Sequence, residues 1–241
     1  MRLLIHGMQS SGATAFTRAL AERPGCLAMV DIANNFAAPR VTTTADFVAK
    51  VVVTTAYTLA EHVARFRPDR TILLLRDPRD NYVSLADKNY RHHSGLMDEK
   101  FELLDQIFAD RHQYDAVVHY EDFVARSPAV HQVLADLGWP IGEENYTFRR
   151  DYNDLLGTLW DAEPVLQDTM TVVFGNAQGK GVSDKVPGQA AHPGSGGRGG
   201  TPVPPPAGIL SGARLTLYPS TTSAKLSRCR RPAMTTAWVR L

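Results

Sequence analysis

Cysteine is nearly absent from this 241-residue chain: Cys26 and Cys229 are far apart and in no metal-ligand spacing. Neither a disulfide framework nor a zinc site is suggested, and a reducing cytoplasm fits. Long apolar runs are missing too, with none near membrane-spanning length, and "MRLLIHG" enters a strand-like pattern without the apolar core and cleavage site of a signal peptide. The expectation is a cytoplasmic protein with neither a membrane nor a nucleic-acid partner. Acidic residues stop after Asp184. Residues 1–179 hold 17 Lys and Arg against 24 Asp and Glu, whereas residues 180–241 hold nine against one, so the near-neutral whole joins two segments of opposite charge.

A lysine is also missing from one informative stretch. "IHGMQSSGATAF", residues 5–16, places Gly7, Gly12 and Thr14 at the spacing of a phosphate-binding P-loop, but Ala13 stands where a nucleoside triphosphatase needs lysine. In such a loop, backbone N–H groups and the N-terminus of the following helix point at an anion, and glycines allow close approach. The strand "RLLIHG" before it and a helix from Gly12 after it supply that context. The loop can therefore hold phosphate without a charge at Ala13, while NTP hydrolysis is disfavoured because a transferring γ-phosphate lacks its neutralising partner. The alternative is a strand-to-helix turn that binds nothing.

Short apolar runs alternate with helix-length segments up to about Val118: "RLLIHG", "CLAMVDI", "FVAKVVVTT", "RTILLLRD" and "YDAVVHYED". Apolar residues at consecutive positions are expected of strands covered on both faces, so the pattern predicts an α/β fold with a mainly parallel sheet. Helices are predicted over 12–22, 57–66, 80–88 and 97–112, and Ser127-Pro128 opens another to about Leu137. Met97, Phe101, Leu104 and Phe108 fall at helical spacing and predict a core face. From about Gly175 the chain turns rich in Gly and Pro with no sustained period, which predicts a domain over 1–179 and a disordered basic tail over 180–241. A flexible tail and the product of a GC-rich gene read in a shifted frame both account for that composition.

A second stretch, "TILLLRDPRDNYVSLADKNY" at 71–90, puts Arg76 at the end of a buried strand and Ser84 on the helix that follows. Ligands of open α/β sheets bind beyond the carboxyl ends of the strands, and an arginine fork with a nearby hydroxyl grips a phosphate from two sides. The alternative pairs Arg76 with Asp77 or Asp80. Together the two stretches resemble the sulfotransferases that use 3′-phosphoadenosine 5′-phosphosulfate, PAPS. Ser11, Gly12, Ala13 and Thr14 match that family's Ser-Gly-Thr-Thr loop for the 5′-phosphosulfate, while Arg76 and Ser84 have the spacing of its 3′-phosphate pair. A Tyr-Glu-Asp stretch recurs as Tyr120, Glu121 and Asp122, ahead of a helix that runs into "LGWP", which by resemblance sets Tyr120 near the adenine. The likeness covers roughly residues 2–140. It implies a three-layer P-loop NTPase-like fold, PAPS as donor, a small-molecule or glycan acceptor and no metal.

Ser10 stands where the family commonly has lysine or arginine, so one cation is missing or relocated. Lys50 lies near the position of an active-site lysine in some relatives; its alternative is a strand-edge lysine. Lys180 and Gly181, in "GKGVSDK", are the counterpart of the basic loop that closes over the 3′-phosphate. Asp31, at the end of "CLAMVD", is the candidate base, its alternative being a cap for the loop at Asn34; His92 and His93 stand next in line. His6 faces the site or is a satisfied strand residue. A P-loop small-molecule kinase and a non-catalytic nucleotide-binding module remain the rival functions.

Overall fold

The computed structural model describes residues 1–32, 36–53 and 56–169. Lys180, Gly181, Cys229 and the whole of 180–241 therefore lie outside the described residues, as do Asn34, Thr54 and Thr55. Five strands form one sheet: β1 (Arg2–Gly7), β2 (Leu27–Met29), β3 (Phe47–Val52), β4 (Arg70–Leu75) and β5 (Ala116–His119). Their order is β2-β3-β1-β4-β5, and every neighbouring pair is parallel. The helices are α1 (Ala13–Ala21), α2 (Leu59–Phe66), α3 (Pro78–Ala86), α4 (Met97–Ala109), α5 (Tyr120–Val124), α6 (Pro128–Asp136), α7 (Tyr152–Ala162) and α8 (Pro164–Thr169). The α/β architecture with a parallel sheet is thus observed. No helix among the described residues is long and apolar enough to cross a membrane.

Strand periodicity divides the core. Leu3 and Ile5 of β1, Val48 of β3 and Ile72 and Leu74 of β4 face one side, where Phe16 of α1, Phe123 of α5 and Leu134 of α6 cover them. Leu4, Phe47 and Ala49 face the other, under Phe66 of α2 and Leu159 of α7, and Leu73 and Leu75 lie there under Phe101 and Leu104 of α4. Both faces are buried, which is why the strands read as continuous apolar runs.

Several boundaries differ from the sequence pattern. The second strand stops at Met29, so Asp31 sits two residues beyond it, and the fifth run ends at His119 because Tyr120 already opens α5. The fourth helix closes at Ala109 and gives way to a short 3-10 turn over Arg111–Gln113. Helices α7 and α8 carried no expectation. Asp151 caps α7 by accepting from Asp154 N at 2.9 Å, and Leu159 packs with Leu27 and Met29 of the edge strand β2.

Chain direction sets the position of the site. The connection leaving β1 leads to β2 on one side of the sheet, while that leaving β4 leads to β5 on the other. Such a switch point opens a crevice beyond the carboxyl ends of the two strands.

Candidate anion site at the carboxyl ends of β1 and β4

The loop from Met8 to Gly12 turns β1 into α1 through two left-handed residues, Ser10 at φ 62° and Gly12 at φ 86°. A side chain at Gly12 would run into the ring of Tyr120, and a Cβ at Gly7 would lie 2.9 Å from the Cβ of Ala13. The two glycines therefore allow the loop to fold flat against α1 and α5. Ala13 is 2% exposed and packs into the core, so it offers an anion its backbone N–H alone. Gly12 caps α1 without any side-chain hydrogen bond, leaving first-turn N–H groups uncapped.

Arg76, just past β4, ties this region together. Its Nη1 donates to the carbonyl of Ser10 at 3.0 Å, and its guanidinium carbon lies 5.1 Å from the centre of the Tyr120 ring. Among the described residues it forms no ion pair; Asp77 instead caps α3 and binds Arg79 at 3.1 Å. Burial alone would raise the Asp77 pKa, yet the hydrogen bonds from Arg79 hold its carboxyl below the usual range. The N–H of Asp77 donates to Glu121 Oε1 at 3.0 Å, linking the ends of β4 and β5.

Among the described residues, three side-chain donors here are buried without a hydrogen-bond partner, the hydroxyls of Ser10 and Ser11 and Nε of Arg76, as is one acceptor behind the loop, Asn81 Oδ1. Leaving such a group unpaired costs about 1–3 kcal/mol. The three donors surround a helix N-terminus, which is the arrangement an anion satisfies. Ser84 is half-buried on α3.

Lys50 is an interior residue rather than a strand-edge lysine, because β3 lies between β2 and β1. It is 4% exposed, and its Nζ donates to Asp31 Oδ1 at 2.7 Å and to Thr14 Oγ1 at 3.2 Å. The structure thus joins Asp31, Lys50 and the first turn of α1. His92 and His93 are exposed.

Two residues that sequence reasoning passed over hold the loop from behind. Asn81, fully buried on α3, donates from Nδ2 to the carbonyl of Gln9 at 2.7 Å. Lys100 of α4 is also fully buried, donating to Gln9 Oε1 at 2.6 Å and to the carbonyl of Arg91 at 2.7 Å. Burial lowers its pKa to about 8. A signal existed for Lys100: it falls on the apolar stripe of Met97, Phe101 and Leu104, where a lysine has no solvent to reach. Cys26 is buried and its thiol is pushed up to about 12 by that burial, which rules it out as a nucleophile at neutral pH.

Comparison with protein-family models gives no match, and comparison with curated proteins gives none either.

Proposed function

We propose that this chain is a sulfotransferase on a P-loop NTPase-like fold, moving a sulfonate group from PAPS to a hydroxyl or amine acceptor. The observation that supports it best is the set of unpaired donors, Ser10, Ser11 and Arg76, around an uncapped helix N-terminus. In this reading Ser10, Ser11, Gly12, Ala13 and Thr14 hold the 5′-phosphosulfate, Arg76 and Ser84 take the 3′-phosphate, and Tyr120 faces the adenine. The new bond forms between the acceptor oxygen or nitrogen and sulfur as the bond from sulfur to the 5′-phosphate oxygen breaks, and the acceptor proton passes to a base. Lys50 supplies the cation that the loop lacks. Its contact with Thr14 carries that assignment, and Asp31 either takes the proton or fixes the ammonium group in place.

Equilibrium dialysis and transfer of radiolabelled sulfonate across a panel of acceptor classes test the proposal. Adenosine 3′,5′-bisphosphate should bind at least about tenfold more tightly than ATP. Lys50→Met and Asp31→Asn should each lower transfer by about a hundredfold while leaving bisphosphate affinity nearly unchanged. Tighter binding of ATP with magnesium-dependent hydrolysis would overturn the reading in favour of a kinase. Bisphosphate binding without transfer to any acceptor class would leave a nucleotide-binding module.

A further inference from the structure

A cavity lies on the opposite face of the sheet from α1. It measures about 630 Å³, within the range of small-molecule sites, and lies between the first turn of α2 and the second half of α4. His6 and Tyr114 line its floor, Leu59 and Ile107 its walls, and Glu61 and Asp110 its rim. His6 gets there by strand alternation: Ile5 faces α1, so the next side chain points to the other side.

His6 is 2% exposed, and its Nδ1 lies 2.6 Å from the hydroxyl of Tyr114. Its Nε2 is buried and has no partner among the described residues. It is therefore not the satisfied strand histidine that the sequence allowed, nor does it face the P-loop helix. Burial, with His62 adding to it, lowers the His6 pKa to about 3, and burial keeps the Tyr114 phenol above its ordinary range. Both groups are neutral near pH 7, so one proton is shared along their bond in one of two ways. If Tyr114 donates to Nδ1, then Nε2 carries hydrogen and seeks an acceptor. If Nδ1 donates to Tyr114, then Nε2 seeks a donor. A hydroxyl group answers both cases, because it donates and accepts.

The rim sets the charge of the occupant. The Glu61 carboxylate accepts from the N–H of Thr58 at 2.7 Å and from its hydroxyl at 2.8 Å, which holds its pKa below the usual range. With exposed Asp110 opposite, the entrance is negative and disfavours phosphates, sulfates and carboxylates. The walls offer aliphatic and aromatic surface.

We propose that this cavity is a binding site for a small uncharged aromatic alcohol, whose ring packs between Leu59 and Ile107 and whose hydroxyl bonds to Nε2 of His6. This site is separate from the anion site and does not depend on the sulfotransferase reading.

Calorimetry and histidine-selective nitrogen NMR on the full chain, with 2-naphthol as probe, test the proposal. Saturable binding with a shift of the His6 Nε2 resonance is expected, and 2-naphthoate should bind at least about tenfold more weakly. His6→Leu should weaken 2-naphthol by about three- to tenfold. Ile107→Trp, which fills the cavity from the α4 side, should abolish binding and leave the far-ultraviolet circular dichroism spectrum unchanged; it carries the test if His6→Leu does not fold. No saturable binding by the folded protein would overturn the proposal. So would equal affinity for 2-naphthoate, or unchanged 2-naphthol binding in Ile107→Trp.

Discussion

Two buried lysines, Lys50 and Lys100, and Arg76 bring positive charge around a loop whose Ala13 has none. In the sulfotransferase reading Arg76 takes the second phosphate, so its loss should separate ligands. Arg76→Ala is expected to weaken adenosine 3′,5′-bisphosphate by roughly ten- to a hundredfold, the loss of one charge-assisted hydrogen-bonding partner, while adenosine 5′-phosphate changes much less. Equal losses for both ligands in a folded variant would remove Arg76 from the 3′ site. Lys100 acts from behind the loop through Gln9, and its ammonium group is buried among neutral acceptors. Its pKa of about 8 gives a sign: the charge is present below pH 8 and is lost as pH rises through that value. A bound anion favours the charged form, so bisphosphate affinity should fall by up to about tenfold, on the order of 1.4 kcal/mol, between pH 7 and pH 9. Lys100→Met should bind weakly at both pH values with a flat profile, and a wild-type slope retained in that variant would assign the titration elsewhere.

At the scale of elements, the turn from β1 into α1 depends on Gly12 for two separate reasons. Its φ of 86° is left-handed, and the space where a Cβ would lie is taken by Tyr120. Gly12→Ala should cost about 1–2 kcal/mol for the backbone alone, with a further loss from displacing Tyr120. Since Tyr120 also carries the guanidinium of Arg76 on its ring, the variant should lose bisphosphate affinity along with thermal stability. Urea unfolding and dialysis on the same preparation check both. A variant that unfolds less readily or binds normally would show that the loop has another way to close. Much of this turn was legible in the sequence, because a glycine between a strand and a helix has few structural meanings. The part played by Tyr120 was not, since it comes from α5, more than a hundred residues away in the chain.

At the scale of the whole molecule, two histidines among the described residues stay neutral because they are buried. His6 is lowered to about 3 by burial and by His62, and His62 to about 4 by burial first, against the partial opposition of Glu61. The nitrogen Nδ1 of His62 accepts from the N–H of Ala38 at 3.0 Å, so its proton resides on Nε2. The unfolded chain protonates both rings below about pH 6.5, whereas the folded protein resists until roughly pH 4 or 3. Stability contributed by these groups is therefore complete above pH 6.5 and is lost as pH falls toward the folded values. Between pH 7.5 and pH 5 the loss should be on the order of 3–4 kcal/mol, read by urea denaturation. The double variant His6→Gln, His62→Gln should flatten that slope, and an unchanged slope would place the acid sensitivity in other groups.

Sequence alone determined the elements whose signal is local. Consecutive apolar runs marked strands buried on both faces, Pro128 marked a first helical turn, while Pro78 read as a turn before a helix at Asp80 and proved to open that helix, and the spacing from Gly7 to Gly12 and from Arg76 to Ser84 marked the two candidate phosphate contacts. Only the tertiary structure decided what meets across the sheet. Lys50 read equally well as a strand-edge residue until the order β2-β3-β1-β4-β5 made β3 internal and brought its ammonium group to Thr14 and Asp31. Lys100 and Asn81 became supports of the loop only when α3 and α4 packed beside it. His6 turned away from α1 because side chains alternate along a strand, and which face each set occupies depends on where the helices pack. Local pattern fixes the elements, but the crossings between parallel strands join residues far apart in sequence, and those crossings bring the site's charges together.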